Sequence, residues 1–272
     1  VWSDKDQIIA TPTIGFMIKI LLCNDDGFQA AGIIALYHAL CKMPNVSVEV
    51  IAPEHNNSAK SNALTLNAPL YVYDSQGDSR TNGFRYVNGT PADCMHIALT
   101  GLLGYQPDLV VSGINNGANL GDDTVYSGTV GAAMEGYLFG VPAIAFSQTK
   151  KGWAHLDDAA AYAASLVGKL LPSLDKKLAP WLLNVNIPNL PSSQIKGLQV
   201  TRLGRRHAAE PVVTQQSPRG ETMYWIGAAG PAKDDAMGTD FHATREGFVS
   251  VTPLQCDMTD LDRLPFWAQS FS

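Results

Sequence analysis

The 272-residue sequence holds only four cysteines, Cys23, Cys41, Cys94 and Cys256, and no two stand at CxxC spacing. They read as reduced, buried small hydrophobes of a cytoplasmic protein rather than as a thiolate metal centre. No apolar stretch reaches the roughly 20 residues that span a bilayer. Residues 1–16 lack the basic start and apolar run of a signal peptide. Charged residues are sparse, 16%, and the formal net charge is −6, so nothing electrostatic favours a nucleic-acid polymer or an anionic membrane as partner. There is no GxGxxG, no Walker-type lysine and no GxSxG elbow, which disfavours dinucleotide binding, nucleoside-triphosphate hydrolysis and serine-hydrolase chemistry. What remains is a chain with 46% hydrophobic residues, long enough for a sizeable core. Met17 opens the first strand pattern, and residues 1–16 read as a leader or an appended remnant.

The strongest positive feature is Asn24-Asp25-Asp26-Gly27, directly after the branched apolar run 18–23. That run reads as a buried parallel strand. In open α/β sheets ligands bind beyond the carboxyl ends of strands. Adjacent acids there repel each other unless a cation lies beside them. The plain alternative is a solvated turn, since Asn, Asp and Gly are turn residues. Two further strand ends weigh against it. Residues 46–52 (VSVEVIA) run into Pro53-Glu54-His55-Asn56-Asn57-Ser58. Residues 108–112 (DLVVS) run into a loop expected to start at Gly113 and to carry Asn115, Asn116 and Asn119. In a parallel sheet these loops share one edge, with carboxylate, hydroxyl and amide oxygens but no His or Cys at ligand spacing. Such a set suits Mg²⁺, Mn²⁺ or Ca²⁺ rather than Zn²⁺.

Helix patterns alternate with the strands. Ile33, Leu36, Tyr37 and Leu40 share one face. Thr90-Pro91-Ala92-Asp93 has the signature of a capping box with Pro at the first helical position, opening a helix to about residue 103. Further helices are expected over about 129–140 and 156–171, with strands at 141–146 and 181–187. The alternation predicts a three-layer α/β/α fold around a Rossmann-like, mostly parallel sheet. After residue 190 the texture changes to short strand patterns (198–201, 222–226, 248–251) separated by polar Gly/Pro-rich stretches. The expected division is therefore a core at 17–190 and, at 191–272, C-terminal strands with an extended β-hairpin arm.

Tyr126-Ser127-Gly128-Thr129 opens a helix, and its N–H groups and hydroxyls could cradle a phosphate. The same residues could equally be a plain N-cap. Arg202, Arg205, Arg206 and His207 form a basic cluster that more often marks a solvated face or subunit contact than a phosphate site. His38, His96 and His155 lie in helix patterns and are taken as structural; His55 and His242 lie in loops.

At these residues the sequence resembles the stationary-phase survival protein SurE family of nucleotidases. The likeness rests on Asn24-Asp25-Asp26-Gly27, Ala52-Pro53 leading to Ser58, Gly89 through Cys94, Ser112-Gly113-Ile114-Asn115 with Gly121, and Tyr126 through Val130 with Glu135-Gly136. Asn184-Val185-Asn186, Thr201-Arg202 with Arg205-Arg206, Pro218-Arg219-Gly220 and the stretch from Gly247 to Pro253 extend it. The departures are small: Asn116 and Ala118 stand where members vary, and residues 1–16 are extra.

The resemblance implies a metal-dependent phosphatase of nucleoside 5′- and 3′-monophosphates, with short polyphosphate a further substrate. It assigns one divalent cation per subunit (Mg²⁺ or Mn²⁺, with Ca²⁺ able to substitute) to Asp25, Asp26, Ser58 and Asn115. Asp25, Asp26 and Asn115 then carry catalysis, and Asn24, Asn116 and Asn119 support them. It places the substrate phosphate at Ser127, Gly128 and Thr129, and implies homodimers or homotetramers built through the C-terminal arm. Haloacid-dehalogenase-type phosphatases attack through the first Asp of Asp-x-Asp; here the acids are adjacent, which favours direct attack by water. The alternatives are a non-catalytic nucleotide- or metal-sensing module and a serine-type hydrolase.

Overall fold

The fold was read from a computed structural model that describes residues 17–175, 178–206 and 210–272. The expected leader at 1–16 and His207 of the basic cluster lie outside the described residues. The elements run β1 (Ile18–Cys23), α1 (Ala31–Cys41), β2 (Val46–Pro53), β3 (Val72–Asp74), β4 (Arg85–Val87), α2 (Pro91–Ile97), β5 (Leu109–Asn116) and α3 (Gly128–Leu138). There follow β6 (Ala143–Gln148), α4 (Leu156–Leu170), β7 (Leu182–Ile187), β8 (Leu198–Val200), β9 (Arg205–Arg206), β10 (Val213–Gln216), β11 (Thr222–Trp225), β12 (Ala232–Asp234), α5 (Asp240–Arg245), β13 (Val249–Leu254) and α6 (Leu264–Ser270).

Nine strands form one sheet in the order β3-β4-β2-β1-β5-β6-β7-β13-β8. All pairs are parallel except β3 with β4 and β13 with β7. Helices α1 and α4 pack together, as do α2 and α3, each pair supplying an outer layer. This is the α/β architecture the alternating pattern predicts. Parallel strands covered on both faces must be apolar along their length, and Ile20 to Cys23, Leu109 to Val111 and Ala143 to Phe146 are all buried. The capping box is present: Thr90 Oγ1 accepts from Asp93 N, and Asp93 Oδ2 accepts from Thr90 N.

Three expectations change. β5 does not end at Ser112 but continues to Asn116 after a register shift between Ser112 and Asn115. Gly113 makes this possible: its φ is 128°, and a Cβ there would stand 2.3 Å from the Phe146 carbonyl oxygen. Cys41 is exposed rather than buried, because it ends α1 on the outer side. The stretch after residue 190 contributes β13 and β8 to the main sheet. Its remainder forms two small ribbons, β10–β11 and β9–β12, with short α5 and α6. No helix among the described residues is long and apolar enough to cross a membrane.

Candidate active site

β1 lies between β2, the next strand in the chain, and β5, which follows much later. The strand order reverses there, which is where an open α/β sheet leaves a crevice at its carboxyl edge. Asp25 and Asp26 stand at that point and face different neighbours. Asp25, 3% exposed, accepts a short hydrogen bond at Oδ1 from the Thr129 hydroxyl. Gly128 lies against it: a Cβ on Gly128 would come within 2.9 Å of Asp25 Cβ, so only glycine lets α3 start so close. Burial pushes the Asp25 carboxyl up to about 6; bonding from Thr129 opposes the rise and the charge of Asp26 adds to it. Asp26 accepts from Asn116 N at Oδ2 (3.1 Å) and from Asn56 Nδ2 at Oδ1 (3.2 Å). Burial raises its pKa too, against the Asn116 N–H and the Lys151 charge.

The Ser58 loop is tied in from two sides. Asn57 N donates to the Asp25 carbonyl (2.7 Å), and the Ser58 hydroxyl donates to Asn56 Oδ1 (2.7 Å). Asn56 thus bridges Ser58 and Asp26. Farther along, Ser61 N and Oγ bond the carbonyls of Tyr126 (3.0 Å) and Val125 (2.6 Å), holding this loop to the turn before α3. Asn115, placed by the shifted end of β5, commits its Nδ2 to the Gly117 carbonyl (2.9 Å), which orients the amide. Asn24 holds the turn through Nδ2 to the Gly27 carbonyl (2.9 Å). Asn119 is buried: its N–H donates to Asn186 Oδ1 (2.9 Å), its Nδ2 to Ser147 Oγ (2.7 Å), and Asn184 and Asn186 both donate to its carbonyl.

Asp25, Asp26, Asn115, Ser58 and the 127–129 turn therefore come together at one edge. Within that turn the two hydroxyls divide. Ser127 is an N-cap, its Oγ accepting from Val130 N (3.1 Å), whereas Thr129 turns to Asp25. The arginine cluster lies elsewhere in function: Arg205 pairs with Asp122 (2.6 Å), Arg206 with Asp123 and Arg202 with Asp234 (2.7 Å). The first two fasten β9 to the 3₁₀ turn at Gly121–Val125, and the third ties Arg202 to the end of β12. His96 packs between helices with its Nδ1 on buried Glu135 (2.6 Å), and His155 faces Asp158 (3.8 Å). His55 is exposed beside Glu54 (3.8 Å), and His242 lies on α5.

Among the described residues no three His, Cys, Asp or Glu side chains gather as a metal cluster. Any cation here would be held by two carboxylates plus neutral oxygens. Sequence reading missed Asn56, Asn186 and Asp240. Asp240 accepts from Gly121 N (2.7 Å) and Gly204 N (2.8 Å). Asn56 lay in plain view two residues before Ser58, and Asn186 lay in the Asn184-Val185-Asn186 stretch without a role given to it; Asp240 acts through contacts far apart in sequence and left no local signal.

A family model described as "Survival protein SurE" matches residues 20–210. A "5'-nucleotidase SurE" of Polaromonas sp. strain JS666 is 69% identical over 260 residues, covering 93% of this chain and 97% of its own. Its counterpart of the same description from Polaromonas naphthalenivorans is 67% identical over 260 residues, with the same coverage of 93% and 97%. Among solved structures, the "Crystal Structure of Sure Protein from Aquifex aeolicus" matches with TM-score 0.79 and 40% identity, covering 93% of this chain and 100% of that one.

Proposed function

The chain belongs to the survival protein SurE family, and on that premise we propose that it is a divalent-metal-dependent phosphatase of nucleoside 5′-monophosphates. Nucleoside 3′-monophosphates and short polyphosphate are further substrates in this reading. The observation that carries it is the pair Asp25–Asp26 at the strand-order reversal, flanked by Ser58, Asn115 and the start of α3.

The residues fit a hard cation. The donors are two carboxylates, a hydroxyl and an amide oxygen, the chemistry that Mg²⁺ and Mn²⁺ favour. Asp25 is an acid so buried that its charged form is disfavoured without a counter-charge. Asp25, Asp26, Ser58 and Asn115 would hold the ion. When bound, it supplies Lewis-acid polarisation of a phosphoryl oxygen and acidifies a water.

The chain's own groups do the rest. Asn116 N–H and Asn56 keep the Asp26 carboxylate oriented. The start of α3 presents backbone N–H groups and the positive end of a helix dipole to the phosphate, stabilising charge on its equatorial oxygens. Gly128 and Thr129 hold the phosphate through backbone, with Ser127 fixing the turn as its cap. Asp25 and Asp26 are adjacent rather than spaced as Asp-x-Asp, and in this reading the nucleophile is water. The part of residues 191–272 that lies outside the main sheet serves as the arm of a homodimer or homotetramer. The exposed Tyr224, Trp225 and Ile226 on its hairpin, and Phe266 and Trp267 on α6, support that role. The enzyme works in the cytoplasm with its cysteines reduced.

The test is phosphate release from a panel of nucleotides with and without EDTA. Release that stops in EDTA and returns with Mg²⁺ or Mn²⁺ is expected. Retention of nucleotide without release would point to a sensing module, and release that persists in EDTA would overturn the metal mechanism.

A further inference from the structure

The turn after β6 reaches the carboxylate pair by a route the sequence motifs do not mark. Gly152 N donates to Asn116 Oδ1 (3.0 Å), and it is the N–H of this same Asn116 that holds Asp26. Gly152 O accepts from Asn189 Nδ2 (3.1 Å), and Asn189 Oδ1 accepts from Gln148 Nε2 (3.1 Å). Thr149 N bonds the Ile187 carbonyl (2.8 Å). Lys150 takes a left-handed conformation, φ 65°, that side chains seldom adopt, and the contacts on either side of it over-determine the bend. Trp153 anchors the far end on α1, its ring edge 2.9 Å from where a Cβ on Gly32 would be.

This anchored turn sends its two lysines different ways. Lys150 lines a cavity of about 400 Å³ with Asn189, Leu190, Asp235, Phe241 and Arg245. Lys151 lies along Gly117, with Cγ and Cε each 3.8 Å from the position of a Cβ there, in the loop that follows Asn115 and Asn116. The arginines that a sequence reading would offer to a phosphate are neutralised by Asp122, Asp123 and Asp234. Lys151 takes part in no such pair among the described residues.

We propose that Lys151 is a substrate-contacting residue of this site, its ammonium meeting a phosphoryl oxygen on the Asp26 side, opposite the start of α3. Asn189 is the positioning residue that sets the turn. The inference rests on the phosphatase reading for its substrate, a phosphomonoester dianion. A dianion entering beside two carboxylates meets net repulsion that one metal ion only cancels. A cation on a tethered turn adds attraction, and its three donors tolerate varied phosphate orientation.

The experiment compares wild type, Lys151→Met, Lys151→Arg, Lys150→Met and Asn189→Ala, each saturated with Mg²⁺. Two quantities are measured: inorganic phosphate affinity by calorimetry, and kcat and KM for a nucleoside 5′-monophosphate. Lys151→Met is expected to weaken phosphate binding and kcat/KM by roughly tenfold, the scale of one charge-assisted contact. Lys151→Arg should recover most of the loss. Lys150→Met, with the same change in net charge, should match wild type. Asn189→Ala should raise KM more than it lowers kcat, since the ammonium remains but its turn is loosened. Equal behaviour of the Lys150 and Lys151 variants, or wild-type affinity in Lys151→Met, would overturn the assignment. If wild type binds phosphate in a Lys151-dependent manner yet releases none from nucleotides, the role of Lys151 stands and the phosphatase reading falls.

Discussion

The crevice beside β1 and the stretch from 210 to 272 are built on opposite terms. At the crevice the acids and the amide that supports them find partners within the chain: Asp25 with Thr129, Asp26 with Asn116 and Asn56, Asn119 with Ser147 and Asn186. Outside β13, the later stretch leaves most of its large apolar side chains exposed, Trp267 packing against its own neighbours Phe266 and Phe271. Tyr224, Trp225, Ile226, Met237, Met258, Phe266, Trp267 and Phe271 are all more than half exposed, and α6 has no buried residue. A two-stranded ribbon such as β10–β11 is marginal in water, and apolar patches of this kind mark surfaces that another molecule covers. One region is complete within a single chain and the other is not, so substitutions in them should register in different measurements.

The largest separation is expected at the acids. Asp26→Asn or Asp25→Asn should lower phosphate release by roughly a thousandfold, the several kcal/mol that metal-assisted charge stabilisation supplies. Sedimentation should be unchanged. Loss of assembly in these variants would break the comparison, because it would couple the crevice to the distant strip.

Next in size is the pH response of the metal-free protein. The folded-state pKa of Asp25, about 6, lies above its ordinary value of 3.8. The native state therefore holds a proton that the unfolded chain has released. The associated stability is fully present below about pH 4 and is lost as pH rises towards 6, by about 3 kcal/mol. Other carboxylates add their own slopes: burial raises Asp26 and Asp240 as it does Asp25, whereas Arg205 beside Asp122 and Arg202 beside Asp234 hold those acids below the usual range. The measurement is accordingly the difference between wild type and Asp25→Asn in urea unfolding at each pH. A difference that stays flat between pH 4 and 6 would show that burial of Asp25 is relieved in some other way. Saturating Mg²⁺ should remove the slope.

Smaller effects are expected in the strip. Trp267→Ala or Trp225→Ala should weaken subunit association by about 2 kcal/mol, the scale of a central aromatic contact. The unfolding midpoint of the dissociated chain should stay put, because these side chains bury little within it. A dilution series in the analytical ultracentrifuge reads both. Wild-type chain that sediments as a monomer at micromolar concentration would remove the distinction altogether.

The same contrast explains what was legible. Strand periodicity and caps are local, so β1, β2, β6, β7 and the Thr90 box could be placed within a few residues. The end of β5 could not: Ser112-Gly113 looks like a strand terminus, and only the approach to Phe146 shows that Gly113 carries a bulge and that Asn115 and Asn116 are still strand. Asp25, Asp26, Ser58 and the 127–129 turn, which the fold brings to one sheet edge, could be singled out because each follows an element boundary. The partners of Asn56 and Asn186, and the placement of Asp240 and Lys151, depend on which loops meet, and no spacing in the chain encodes that. The short β3, β4 and α5 were missed for a related reason, since three to six residues give no period to read.

The finest test lies inside one turn. Ser127 and Thr129 are two residues apart, both buried, both with a committed hydroxyl, and sequence alone could not say which served the helix and which the site. Ser127 Oγ accepts from Val130 N, so its partner is the helix; Thr129 Oγ1 donates to Asp25, so its partner is the acid. Ser127→Ala should then cost about 1 kcal/mol of folding stability, as loss of an N-cap does, and leave phosphate affinity near wild type. Thr129→Ala should weaken phosphate affinity by about 1 kcal/mol, because an Asp25 deprived of its donor holds its charge less well and sets the cation less firmly. Thr129→Ser keeps the donor and should keep the affinity. Denaturant curves and phosphate calorimetry on the three variants separate the roles. If Ser127→Ala and Thr129→Ala move the same quantity by the same amount, the turn acts as one unit and the division of labour between the hydroxyls is wrong.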